Sequence, residues 1–192
     1  MKNLFKNLLI LTLFSCNATP STQSNEDVVL ILKTEEPTNV LSASKVDTEI
    51  SFDKYCNARY SYCIDYPKAV IFPQPESQNG DGRVFKNKKA EEVLRVFGRN
   101  NSDPDFGHIS LEQQYNDDLQ GVDEENGNND RVITYQKLGK TFFVISGYNK
   151  GKIFYQKTIL KDGAFAYAIL QYDENYKVTF DKVSERIFKS FK

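Results

Sequence analysis

The sequence RVITYQKLGKTFFVISGYNKGKIFYQKTILKDGAFAYAILQY, residues 131–172, decides the fold of this protein. It contains four runs of strand length, at residues 131–138, 141–148, 152–160 and 164–172. Short turns separate these runs, at Gly139-Lys140, Asn149-Lys150-Gly151 and Asp162-Gly163. Because turns of this length join neighbouring antiparallel strands, the stretch predicts a four-stranded antiparallel meander.

Two of these runs are apolar on both faces. Residues 142–145 and most of residues 164–170 carry apolar side chains at successive positions. A strand of this kind needs cover on both faces. A C-terminal helix supplies one cover, because apolar side chains recur there at helical spacing, at Tyr176, Phe180, Val183, Ile187 and Phe191. The other cover is a helix at residues 111–120 or the N-terminal segment.

Further strands are predicted in the first half of the domain. Residues 59–66 alternate in polarity and stop at Pro67, as a half-buried strand does. A second short apolar run follows at residues 69–72, and residues 83–85 and 92–97 are predicted to be a pair of strands joined by a basic turn. Ser110, followed by Glu112 and Gln113, marks the start of the helix at residues 111–120. The sequence therefore predicts an α+β domain, with an antiparallel sheet of about six to seven strands between helices on both faces. This is a three-layer sandwich in which the C-terminal helix packs on the sheet.

The N-terminus has the order of an export signal. Lys2 and Lys6 precede an apolar run at residues 8–14 that is too short to cross a bilayer, and the small Ser15 stands directly before Cys16. Residues 13–16, Leu13 to Cys16, resemble the lipobox of bacterial lipoproteins. The resemblance implies that Cys16 is lipidated and becomes the first residue of the mature protein. A cleaved ordinary signal peptide is the alternative.

This resemblance sets the expected organisation of the chain: a signal peptide at residues 1–15, a polar tether at residues 16–48 and a single domain at residues 49–192. Residues 28–32 are an apolar exception within the tether, either packed on the domain or used as an interaction segment. The start is also similar to the lipoprotein signals of Bacteroidota. Residues 17–21 lack the acidic side chains that would direct such a protein to the cell surface. We therefore expect a lipid anchor in the outer membrane that faces the periplasm.

The charge balance argues against nucleic-acid binding, and the cysteine count indicates a disulfide. The chain has 25 Lys and Arg against 26 Asp and Glu, a balance that gives no support for nucleic-acid binding. If Cys16 carries lipid, Cys56 and Cys63 remain as an even pair, which an oxidising envelope would join in a disulfide. A metal site or a reactive thiol pair is the alternative. Metal ligands usually stand closer together and need two further partners.

Four short segments also resemble the landmarks of exported bacterial domains similar to PsbP and Mog1. They are residues 62–67, residues 82–85, residues 143–147 with Phe154-Tyr155, and residues 187–191. The resemblance implies an antiparallel sheet between helices, in a group whose members mostly bind or assist partners and share no catalytic residues. The lipobox and the expected disulfide set this chain apart from the photosynthetic members, so a photosystem role is not expected.

Catalytic and metal-binding motifs are incomplete in this sequence. His108, the only histidine, lies in a turn-rich loop without a serine in a nucleophile elbow. Ser42 and Lys45 match S-x-x-K without its partner motifs, and Gly139-Lys140-Thr141 fits a hairpin turn better than a phosphate loop. The carboxylates between residues 117 and 130 fail the EF-hand pattern and fit a solvated loop. We expect no metal and no cofactor.

Ser146 and Gly147 are the candidate ligand contacts. A serine within a strand can face a pocket and a glycine permits close approach, although a bulge or tight packing is the commoner reason for such a pair. The sequence favours a membrane-anchored envelope lipoprotein that binds a protein partner or acts as an accessory module, and it leaves catalysis undecided. Two alternatives stay open: an envelope hydrolase that uses a carboxylate pair or Ser146, and a binder of a small ligand or lipid.

Overall fold

The computed structural model describes residues 50–103, 107–120 and 130–192. Several predictions fall outside these residues: the signal peptide, the lipidated Cys16, the tether with its apolar segment at residues 28–32, and most of the acidic loop at residues 121–130. No helix of the described part is long and apolar enough to span a bilayer.

Most of the described residues lie in antiparallel strands. The strands are β1 (Phe52–Asn57), β2 (Tyr62–Pro67), β3 (Phe72–Glu76), β4 (Gly82–Lys86), β5 (Glu92–Asn100), β6 (Ser102–Asp103), β7 (Gly107–His108), β8 (Arg131–Leu138), β9 (Phe142–Asn149), β10 (Lys152–Lys161) and β11 (Ala164–Tyr172). Seven of them form the main sheet in the order β3-β4-β5-β11-β10-β9-β8. The β1–β2 hairpin and the short β6–β7 pair stand apart from that sheet. The antiparallel sheet and its size are as predicted.

Strands β8 to β11 are the meander that residues 131–172 predict. Two of its turns have two residues each, Lys150-Gly151 and Asp162-Gly163, and all four residues have positive φ. Two-residue hairpin turns favour this conformation because its twist matches that of the flanking strands. Glycine at the second position adopts it without strain, which fixes both turns.

The first half of the domain departs from prediction at three places. Strand β2 begins at Tyr62 instead of residue 59, because residues 58–61 form a turn in which Ser61 has φ of 52°. Its partner β1 was not predicted. The run at residues 69–72 is not a strand, and β3 instead includes Pro73 and Pro75. Proline is tolerated there because β3 is an edge strand.

Alternate residues of β11 enter two hydrophobic clusters. Ala166, Ala168 and Leu170 belong to the first cluster, which also contains the hairpin β1–β2 and the C-terminal helix. Phe165 and Tyr167 belong to the second, which contains the helix at residues 111–120. Since successive side chains of a strand point to opposite faces, each cluster takes one face of β11.

The two α-helices have the predicted positions. Helix α1 (Leu111–Gln120) begins with a reciprocal cap, in which Gln113 N–H donates to Ser110 Oγ (3.1 Å) and Ser110 N–H donates to Gln113 Oε1 (2.8 Å). Helix α2 (Lys177–Ser190) follows a 3₁₀ turn and buries Phe180, Val183 and Ile187. These three residues belong to the predicted apolar stripe.

Candidate functional site

Apolar side chains are exposed together at one edge of the main sheet. Val132 is 59% exposed, Tyr135 54% and Tyr148 44%. Val132 is paired with Tyr148, and Tyr135 with Ser146, across the β8–β9 ladder. We call these four residues the edge face. Contiguous exposed apolar surface on a folded domain is typical of an interaction site.

A bulge in β8 is what creates the edge face. The register of β8 against β9 shifts between Ile133 and Tyr135. In a regular strand Val132 and Tyr135 would point to opposite faces, because they are three residues apart. The extra residue brings both side chains to the side of Ser146 and Tyr148.

Ser146 and Gly147 lie in β9 at this bulge. The half-buried Ser146 has Tyr135 and Tyr155 as its neighbours on the adjacent strands. A Cβ atom on Gly147 would lie 1.9 Å from the carbonyl oxygen of Val132. Glycine therefore permits the close approach of β8 to β9, while Ser146 lies within the edge face. Their contact with a ligand stays a prediction.

Cys56 and Cys63 are bonded to each other. They are directly opposed in the β1–β2 ladder, with Cα atoms 4.1 Å apart. The predicted disulfide is confirmed, and the alternatives of a metal site or a free thiol pair fall away because both sulfurs are used. The bond closes the hairpin that carries Tyr55, Tyr62 and Ile64 into the first hydrophobic cluster.

A polar cluster that the sequence did not reveal joins α1 to the sheet. The Asp118 carboxylate accepts hydrogen bonds from Gln114 Nε2 (2.7 Å) and Gln156 Nε2 (2.6 Å). Arg131 donates to the backbone oxygen of Asp118 (2.9 Å) and to Gln156 Oε1 (3.2 Å). Arg99 completes the cluster by donating to Gln114 Oε1 and to the Tyr167 hydroxyl.

Burial shifts the pKa values of two groups in this cluster, the Asp118 carboxyl and the Arg131 guanidinium. It raises the pKa of Asp118, against the hydrogen bonds from Gln114 and Gln156 that lower it. Burial also lowers the pKa of the Arg131 guanidinium, which lies 4.3 Å from the centre of the Phe154 ring. These groups bond one another and join α1 to the sheet, although the buried Nε of Arg131 has no hydrogen-bond partner among the described residues.

A groove of about 460 Å³ opens beside the cluster. Its lining includes Arg131 and Gln156 together with the rings of Phe97 and Phe154 and the side chain of Ile169. The volume falls in the range of small-molecule sites. Within the described residues, no group of three or more His, Cys, Asp and Glu side chains is placed to hold a metal ion. His108 lies apart, with Nδ1 3.2 Å from Asn101 Oδ1.

Comparison with known proteins identifies the fold. No family model and no curated protein matches the chain. The solution structure of cyanobacterial PsbP (CyanoP) from Synechocystis sp. PCC 6803 superposes with a TM-score of 0.54, covering 79% of this chain and 98% of that one. The fold is PsbP-like. At 14% sequence identity the likeness extends to the fold alone. It agrees with the similarity to PsbP that the four short segments suggest.

Proposed function

We propose that this PsbP-like protein is a membrane-anchored accessory module of the cell envelope that binds a protein partner through its edge face. The proposal takes α2 and α1 to cover opposite faces of the sheet, which the alternation of the two clusters along β11 supports. With the two helices covering the faces of the sheet, the edge face of β8 and β9 remains exposed for a partner.

The exposure of the edge face is the observation that carries this proposal. Val132, Tyr135 and Tyr148 are 44–59% exposed although all three are large and apolar or aromatic. Tyrosine is enriched at protein interfaces because it buries a large ring while its hydroxyl stays hydrogen-bonded. Polar residues at these positions would favour solubility more than the residues present do.

The anchor forms the second part of the proposal. We expect Cys16 to be acylated and to hold the domain at the outer membrane on its periplasmic side, with residues 16–48 as a tether. Metabolic labelling with a palmitate analogue should mark the wild-type chain, and Cys16→Ala should abolish the label. Label that persists in Cys16→Ala would show that Cys16 is not the acylated residue.

Partner binding is tested by polar substitution on the edge face. The full chain is cross-linked in its own envelope and recovered, and Tyr135→Ser is compared with Phe72→Ser. Phe72 is a matched control because it is 39% exposed on β3 at the opposite edge of the sheet. A central aromatic contact contributes enough that its loss should weaken capture about tenfold. Equal capture by both variants would contradict the proposal.

A second candidate function, the binding of a small ligand, is favoured by the groove beside Arg131. Its volume and its mixed lining, in which Phe97, Phe154 and Ile169 stand beside polar groups such as Arg131 and Gln156, are features of ligand sites. Ile169→Trp would fill this groove without touching the edge face. A molecule that co-purifies with the wild-type chain and is lost from Ile169→Trp would support ligand binding. Identical extracts from both proteins would exclude it.

A further inference from the structure

Strand β8 is an edge of the main sheet, and on its outer side no backbone hydrogen bond to another described residue is present. Gly139 N–H donates to the oxygen of Phe142 (2.8 Å), which makes these two residues a hydrogen-bonded pair at the β8–β9 turn. Such pairs alternate along an antiparallel ladder. The backbone groups of Gln136 and Leu138 therefore point away from β9, toward the open side of β8.

The two edges of the sheet differ in how they receive another strand. Strand β3 carries Pro73 and Pro75 and an irregular register, features that prevent strand addition. Strand β8 contains no proline, and six of its eight residues are exposed. Its length suits the addition of a full strand, since eight residues span roughly 26 Å.

The charge of β8 determines which kind of added strand can pair with its open edge. It carries Arg131 and Lys137 and no acidic residue. Two copies paired antiparallel about Thr134 would place Arg131 of each opposite Lys137 of the other, which is unfavourable. Lys137 is exposed and forms no ion pair within the described residues. A carboxylate on the incoming strand would complement it.

We propose that β8 binds its partner by strand addition. The occupant is an extended segment of another protein, with apolar side chains over Val132 and Tyr135 and an acidic side chain beside Lys137. Backbone hydrogen bonds to residues such as Gln136 hold the segment, and alternate side chains select it. This inference rests on the proposed function and specifies how the edge face is used.

The test distinguishes the contribution of the Gln136 backbone N–H to partner binding from the contribution of its side chain. A photo-cross-linking amino acid replaces Tyr148 in the full chain, and Gln136→Pro is compared with Gln136→Ala. Both substitutions remove the exposed side chain, but only proline removes the outward N–H, and it leaves the β8–β9 hydrogen bonds in place. We expect Gln136→Pro to lower the yield of the adduct about tenfold and Gln136→Ala to keep it within about twofold.

Charge reversal provides a second variant that does not alter the backbone. Lys137→Glu should also lower the adduct yield, whereas Lys140→Glu, in the exposed β8–β9 turn, should not. Intact disulfides and matching thermal unfolding show that the variants are folded. The captured peptide should be acidic.

The possible outcomes distinguish a failure of strand addition from a failure of partner binding. Equal adduct from folded Gln136→Pro and Gln136→Ala overturns strand addition and leaves partner binding standing. An adduct that consists of two copies of this chain overturns the choice of partner. No adduct from Tyr148 in the wild-type background overturns the proposed function and the strand addition with it.

Discussion

Replacing Lys157 with methionine should loosen the C-terminal end of α2 and destabilise the domain. Lys157 lies half-buried in β10, and its ammonium donates to the backbone oxygens of Phe188 and Phe191, each at 2.8 Å. These carbonyls lie at the end of α2, where no helical partner remains for them. A cation at this position also interacts favourably with the helix dipole.

The expected loss follows from these contacts. Two charge-assisted hydrogen bonds contribute about 1.5 to 3 kcal/mol each. Burial of the ammonium opposes them and lowers the pKa of Lys157, and methionine relieves that cost. Methionine has a similar length, so it leaves no large cavity. The net expectation is a loss of about 2 kcal/mol in the free energy of unfolding, or about 7 °C in Tm for a domain of this size.

Lys161→Met is the matched control for this prediction. Lys161 lies on the same strand but is exposed, and it donates to the oxygen of Ser61 (3.1 Å). We expect Lys161→Met to change stability by less than about 0.5 kcal/mol. Thermal and urea unfolding, followed by circular dichroism, measure both variants. Equal stability of the two variants would refute the role of Lys157 in holding α2.

Three further predictions concern the disulfide, the bulge and the buried cluster. The double variant Cys56→Ser, Cys63→Ser should have a free energy of unfolding about 2.5 kcal/mol lower than the wild type, measured by urea titration. In the wild-type protein both cysteines should resist alkylation until a reductant is added. Gly147→Ala should cost at least about 2 kcal/mol, because its Cβ would lie 1.9 Å from the Val132 oxygen; unchanged Tm would contradict this. Burial raises the pKa of Asp118 in the folded protein, so the folded state binds a proton more readily than the unfolded state. The stabilisation from this protonated carboxyl is present at acid pH and is lost as the pH rises through the raised pKa. Wild type should therefore gain stability relative to Asp118→Asn between pH 7 and about pH 4 in urea unfolding.

The meander was predictable because its signals are local. Asp162-Gly163 and Lys150-Gly151 specify two-residue turns, and the length of each run sets its strand. The failures have non-local causes. Pro73 and Pro75 argue against a strand unless it lies at an edge, and position in the sheet is not written in the local sequence. Strand β1 becomes recognisable only through its pairing with β2.

The candidate site was predictable only in part. The sequence selected Ser146, which lies in the edge face, and the Cys56–Cys63 pair. It could not place Val132 and Tyr135 on one face, because the bulge reverses the alternation on which such predictions depend. The hydrogen bond from Gln156 to Asp118 joins residues 38 positions apart, a separation that no sequence period encodes.

Site-resolved photo-cross-linking in the native envelope tests partner binding most directly. The photoreactive residue is placed in turn at Tyr148, Phe72 and Val178, three exposed positions on β9, β3 and α2. If the edge face binds a partner, Tyr148 should give a discrete adduct with another protein, and Phe72 and Val178 should give none. Adducts of similar yield from all three positions, or an adduct from Phe72 or Val178 alone, would contradict binding through the edge face.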